Sequence, residues 1–249
     1  MRRIIMSLFI LLSLSCKEKH IANTKQGQTT YNNNSIDIPT IKVSKEKFTQ
    51  IDDLHFKHSV GGNPIEEETL VSFKYDADFL EIKFECRNNP RLNQNYYTKD
   101  NSSIFTQEVF ELFISNGKEA RENYLEIQLN PNNALFLGKV TNRYKSDHHY
   151  ALELIDTRTS GIKHNVEKDV KNNIWKGYLK LPLKLLQYPD PTPNHIYRLN
   201  MFRVISNVDH TDKKWSSDMS NSTFGCWNST MSNAPQFHVP DYFGILILD

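Results

Sequence analysis

The sequence predicts an all-β fold: a single antiparallel β-sandwich of the jelly-roll kind. Apolar and polar residues alternate at a period of two in run after run. Polar turn residues bound each run, and almost nothing between them repeats at the helical period.

In chain order the runs are Thr69–Tyr75, Phe79–Cys86, Val109–Ser115, Tyr124–Leu129, Ala134–Val140, Tyr150–Asp156, Trp175–Leu181, Ile196–Ser206 and Phe243–Leu248. The second places Leu80, Ile82, Phe84 and Cys86 on one face, a core face by its composition. Tyr75-Asp76-Ala77-Asp78-Phe79 reads as the tight turn joining the first two runs, and Lys168 to Asn173 as a second turn. Only Pro182 to Leu186 offers a helical turn, with Pro182 at its start, where a missing N–H costs least.

The ends read differently. Arg2 and Arg3 precede the apolar run Ile4 to Leu14, too short for the roughly 20 residues of a spanning helix and of the length of a signal-peptide core. Leu14-Ser15-Cys16 follows, then Lys17-Glu18-Lys19, a pattern that resembles a bacterial lipobox, with Ser13 where a branched apolar residue is commoner. Residues 1–16 are therefore expected to be a lipoprotein signal peptide ending at a lipidated Cys16. The alternative is plain secretion with Cys16 incidental. Residues 17–37, rich in Lys, Asn, Gln and Thr, are expected to be a flexible polar tether, and 38–249 the folded domain. The protein is expected in the bacterial cell envelope, held at the outer membrane or cell surface through the lipid anchor.

Thirty Lys and Arg against 29 Asp and Glu leave a net charge of +1, and no long basic run occurs, which argues against a nucleic-acid partner. Cys86 and Cys226 leave the reducing cytoplasm with the chain, so a disulfide is permitted; a core role for Cys86 is preferred.

Signatures of catalysis are missing. His148 and His149 are adjacent, so a regular strand would point them to opposite faces and they could not share a metal. No metalloprotease, nucleophile-elbow or phosphate-loop motif occurs. Glu108, Glu111, Glu126 and Glu153 are candidate acids, and nothing in their spacing brings two together. No cofactor or catalytic metal is expected. A structural calcium ion is permitted in such a sandwich, although no Asp-rich loop demands one.

What remains is a mixture suited to sugars: aromatic rings to stack on pyranose C–H faces, and fixed amides, carboxylates and guanidinium groups for hydroxyls. Asn200 and Arg203 lie in a strand, followed by Trp215 and then Trp227 in a Gly/Asn/Ser-rich setting. Upstream, Tyr96 to Phe105 form a polar, aromatic loop leading into Glu108-Val109-Phe110-Glu111-Leu112-Phe113-Ile114. That segment resembles the corresponding strand of carbohydrate-binding module family 9 and its DOMON-like relatives. Trp227-Asn228-Ser229-Thr230, followed by Phe237-His238-Val239-Pro240 and Phe243-Gly244, is similar to the same family's terminal signature.

The resemblance implies a sandwich that holds a sugar between aromatic rings without catalysis. Phe105 and Phe237 would be the stacking pair and Glu111 a hydroxyl acceptor, with Asn200, Arg203 and Trp227 as further ligand-binding candidates. Better-defined family sites use tryptophans in place of Phe105 and Phe237, and this chain has Ala234-Pro235-Gln236 where the family carries asparagines. A saccharide partner is expected, with glycan-degrading enzymes as candidate associates in polysaccharide catabolism. Two rivals stand beside it: a glycoside hydrolase or its accessory subunit, marked by two carboxylates facing one cleft, and a protein-interaction domain, marked by burial of Phe105, Trp227 and Phe237.

Overall fold

Hydrophobic residues at every second position leave each strand one face to bury, and the chain satisfies this by packing two sheets face to face. The structure, a computed structural model, describes residues 38–45, 47–52, 55–144, 149–210 and 220–249. The signal peptide, Cys16, the tether, His148 and Trp215 lie outside the described residues.

The strands are β1 (Thr40–Val43), β2 (Thr49–Gln50), β3 (His55–His58), β4 (Pro64–Tyr75), β5 (Phe79–Cys86), β6 (Val109–Asn116), β7 (Asn123–Leu129), β8 (Leu135–Thr141), β9 (Ala151–Leu154), β10 (Lys163–Asp169), β11 (Ile174–Pro182), β12 (Ile196–Ser206), β13 (Ser222–Cys226) and β14 (Gly244–Leu248). The back sheet runs β10-β11-β5-β4, with β2 on β4. The front sheet runs β3-β13-β12-β6-β7-β8-β9, with β14 on the other half of the same edge of β12. β4 turns the corner between the sheets, pairing β3 through Pro64 and Glu68 and β5 from Thr69 to Tyr75. All pairings are antiparallel except β1 with β14.

Both anticipated turns form. Asp76 Oδ1 accepts from the Asp78 and Phe79 amides at 2.8 Å, and Asn173 takes the left-handed conformation (φ 58°) that closes the β10–β11 hairpin. The helical turn expected over Pro182 to Leu186 is displaced: Pro182 ends β11, and a 3₁₀ turn forms at Leu185–Gln187.

The core between the sheets is stitched by Phe84 stacked on Phe110, with ring centroids 3.9 Å apart and planes at 14°. Trp175 meets Phe84 edge-on. Cys86 and Cys226 are free, buried thiols, and burial pushes Cys86 up to about 12.

Unlike an ordinary sandwich sheet, the front sheet is buried on both faces at its centre, where every residue of β6 is buried. Val109, Phe113, Tyr124, Phe136, Phe202 and Phe237 belong to a second apolar cluster on its outer face. That outer face carries the cleft described next.

Candidate functional site

The cleft, with a volume of about 240 Å³, opens over the outer face of the front sheet, and strand order places each wall. Phe237 lies flat on Phe202 of β12 (4.3 Å, 19°) and meets Phe224 of β13 edge-on. Phe105 stands over Phe136 of β8 (6.1 Å, 80°). The strands beneath the two rings are three spacings apart, about 14 Å at the sheet. β6 and β7 lie between them and supply a polar floor of Glu111, Gln128 and Glu126.

Glu111 sits directly opposite Gln128, and Glu126 is the next residue of β7 on that face. Gln128 Nε2 donates to Glu126 Oε1 at 2.5 Å. Gln128 Oε1 is buried and accepts no hydrogen bond among the described residues. A buried acceptor left in this state costs free energy until a donor arrives, and a hydroxyl in the cleft would be such a donor.

Carboxylate and amide side chains hold the Phe105 loop. Asp100 Oδ1 accepts from the Leu135 amide (2.9 Å), and Asn101 bridges the Leu137 amide (3.0 Å) and the Ile155 carbonyl (2.9 Å). Gln107 Oε1 accepts from the Tyr96 and Tyr97 amides. Phe105 itself remains 41% exposed, a large ring held out in water by a fastened loop.

The third side of the cleft is Tyr150, Leu152 and His238. His238 stacks on Tyr150 (4.0 Å, 21°), and its Nδ1 lies 2.8 Å from Tyr124 Oη. Burial depresses the imidazole to about 3, against an ordinary value of 6.5. The unfolded chain takes up a proton below pH 6.5 that the folded chain refuses. The His238 contribution is therefore complete above 6.5 and is lost as pH falls toward 3, by ~2 kcal/mol at pH 5. Urea unfolding at pH 7.5 and pH 5 should show this loss in the parent and a smaller one in His238→Gln; equal losses would place its origin elsewhere.

Three expected ligand residues stand outside the cleft. Arg203 points to the inner face and is fully buried. Its Nε donates to Glu108 Oε1 (2.9 Å), which also accepts from Trp175 Nε1 (2.9 Å), and its terminal nitrogens donate to the Glu68 and Arg87 carbonyls. Burial works against the Arg203 charge, and the adjacent Glu108 carboxylate outweighs it, keeping the guanidinium protonated. Asn200 is spent on the chain after β13: its Oδ1 accepts from the Asn228 amide (3.0 Å), and its Nδ2 donates to the Asn228 carbonyl (2.8 Å).

Trp227 is 7% exposed and joins the main core. Its ring fills the space over Gly244, where an added Cβ would lie 2.3 Å from the ring. The segment around it still serves the cleft indirectly, because Thr230 Oγ1 donates to the Gln236 carbonyl (2.8 Å) and so anchors the residue before Phe237.

Phe105, Glu111 and Phe237 thus line one cleft. Glu126, Gln128 and Tyr150 line it too and were not anticipated as ligand residues, although Tyr124, Glu126 and Gln128 alternate on one face of β7 and could have been found by that period. Among the described residues no cluster of three or more His, Cys, Asp and Glu side chains could hold a metal ion.

A curated relative, an extracellular protein of Arthroderma benhamiae, is 27% identical over 183 residues, which is 71% of this chain and 76% of the relative. A crystal structure from Bacteroides uniformis, described as that of a candidate carbohydrate-binding protein, superposes with a TM-score of 0.60 at 12% identity, covering 86% of this chain and 100% of that one. A family 9 carbohydrate-binding module from Caldicellulosiruptor kristjanssonii, solved with glucose, superposes with a TM-score of 0.51 at 14% identity, covering 85% and 96% of the two chains. The same organism's module solved with cellotriose gives 0.51 at 13% identity, covering 85% and 94%. At such identities these structures speak for the β-sandwich fold. The model of carbohydrate-binding family 9 matches residues 39–248, and the chain belongs to that family.

Proposed function

We propose that this domain binds a saccharide without transforming it, within an exported lipoprotein tethered through Cys16 that captures glycans at the bacterial cell envelope for catabolism by partner enzymes. One observation carries the reading: two aromatic residues, Phe105 and Phe237, line a cleft whose floor is the hydrogen-bonding row Glu111, Gln128 and Glu126, with the Gln128 acceptor still unused. Rings take the C–H faces of a pyranose and the polar row takes its hydroxyls. The glucose and cellotriose bound by family members of the same fold make those two sugars the first probes.

Glu111 and Glu126 do face one cleft, the feature that would favour a hydrolase. They rise, however, from adjacent strands of a single floor, as diagonal neighbours. Glycoside hydrolysis needs two carboxyl groups flanking the scissile bond. A pair on one side can accept hydroxyls and is poorly placed to protonate a leaving group while activating a nucleophile. The mark of a structural or protein-interaction role, burial of Phe105, Trp227 and Phe237, is met by Trp227 and Phe237 and not by Phe105, whose ring stays exposed in the cleft.

The test is calorimetric titration of the chain, with Cys16→Ser to block lipidation, against glucose, cellotriose and a wider glycan panel. Phe105→Ala and Glu111→Gln should each weaken binding about tenfold or more. Release of reducing sugar from any bound oligosaccharide would instead establish a hydrolase, and a panel without a single ligand would overturn the saccharide reading.

A further inference from the structure

The cleft does not end at its polar floor. Beyond Phe136 the front sheet has one more strand, β9, and its outward face is aliphatic. Leu152 is 39% and Leu154 50% exposed, comparable to Phe105, and Leu152 is itself a wall of the cleft. Register puts Leu152 opposite Val140 and Leu154 opposite Gly138. Gly138 has no side chain to raise a ridge there, and Leu152 Cδ1 occupies that space, 2.5 Å from where a Cβ would stand. The result is a low apolar shelf continuous with the cleft. Glu153, between the two leucines, pairs with Lys139 and lies on the other face.

An edge strand in contact with water is normally blunted by charge, and two leucines left bare on one are a cost that a bound partner would relieve. A plain sugar relieves little of it. Pyranoses stack on flat aromatic faces, whereas leucine side chains offer neither a π face nor a hydrogen bond.

Building on the saccharide reading above, we propose that the cleft takes a sugar bearing an alkyl or acyl substituent, with the ring over Glu111 and Gln128 and the apolar group on the Leu152–Leu154 shelf. A short O-alkyl decoration and the chain of a glycolipid share this chemistry, and probes of different length separate them.

The experiment titrates the full chain, carrying Cys16→Ser, with glucose, methyl β-glucoside and octyl β-glucoside below its micelle-forming concentration. Octyl β-glucoside should bind about tenfold or more tightly than glucose, since several methylenes leave water. Leu152→Ser/Leu154→Ser should abolish that gain, bringing octyl β-glucoside to within about twofold of glucose on the same variant, and Leu154→Ser alone, outside the cleft lining, should leave glucose affinity within about twofold of the parent. A gain already complete with the methyl glycoside supports a short substituent, and a gain that needs the octyl chain supports a glycolipid.

Equal affinities for the three sugars, with glucose binding that still depends on Phe105, would overturn the shelf and leave the saccharide site standing. A gain that persists in the double variant would place the alkyl chain elsewhere and overturn it as well. A dimer through β9 that the double variant dissolves would assign the leucines to a second copy of the chain. Failure of all three sugars to bind would overturn the saccharide reading and this inference together.

Discussion

Replacing Arg203 by alanine is expected to cost the domain roughly 3–5 kcal/mol of stability, while the folded fraction keeps its saccharide affinity. The size follows from what the substitution leaves behind. Glu108 is fully buried, and one of its oxygens already lacks a hydrogen-bond partner among the described residues. Without the guanidinium, only Trp175 Nε1 would still hold the other oxygen, and an uncompensated carboxylate would sit between the sheets. Arg203 also fastens β12 to the carbonyls of Glu68 and Arg87, so its loss unties the front sheet from β4 and the end of β5. Urea unfolding of Arg203→Ala measures the loss. Arg203→Met combined with Glu108→Leu should recover most of it, because removing both charges spares the burial cost of each. If the double variant proved as unstable as the single one, the packing of the arginine stem rather than the ion pair would be responsible.

That Arg203 is a core residue could not be read from its own strand. In Ile196–Ser206 it is a charged residue inside an apolar run, and such a residue serves equally as a ligand contact or as half of a buried pair. Its partner lies far away in sequence, just before β6, and only the fold brings the two together. Asn200 misleads for the same reason, since its amide is used up by the backbone of Asn228.

The legible parts are those in which one short window carries the physics. Phe79–Cys86 shows its core face through simple alternation, and Asp76 announces its turn through side-chain acceptance from nearby amides. β1, β2, β3, β10 and β13 escaped notice. Lys163–Asp169 is a half-polar edge strand with little to bury, and His55–His58 and Ser222–Cys226 are short strands that meet each other from distant parts of the chain. The two-sided burial of β6 was hidden as well, because Val109 and Phe113 on one face and Phe110 and Leu112 on the other leave Glu111 as the only polar residue among them.

Trp227→Ala is the second large effect, and it separates fold from site. The tryptophan sits in a Gly/Asn/Ser-rich stretch that reads as an exposed loop, yet a glycine distant in sequence makes room for its bulk: Gly244, at the start of β14, lies beneath the Trp227 ring. Truncating so large a buried side chain should cost about 3–5 kcal/mol, partly as lost transfer energy and partly as a cavity between β13 and β14. Phe105→Ala offers the contrast, because an exposed ring on a fastened loop contributes little to the fold and its removal should shift stability by no more than about 0.5 kcal/mol. Thermal unfolding and titration of the same two variants therefore decide the roles. Trp227→Ala should lower the unfolding midpoint sharply and bind sugar normally at a temperature where it remains folded, whereas Phe105→Ala should keep its midpoint and lose affinity. If Trp227→Ala held its stability and lost binding, the ring would have to reach the ligand, and its packing over Gly244 would have to open when sugar binds.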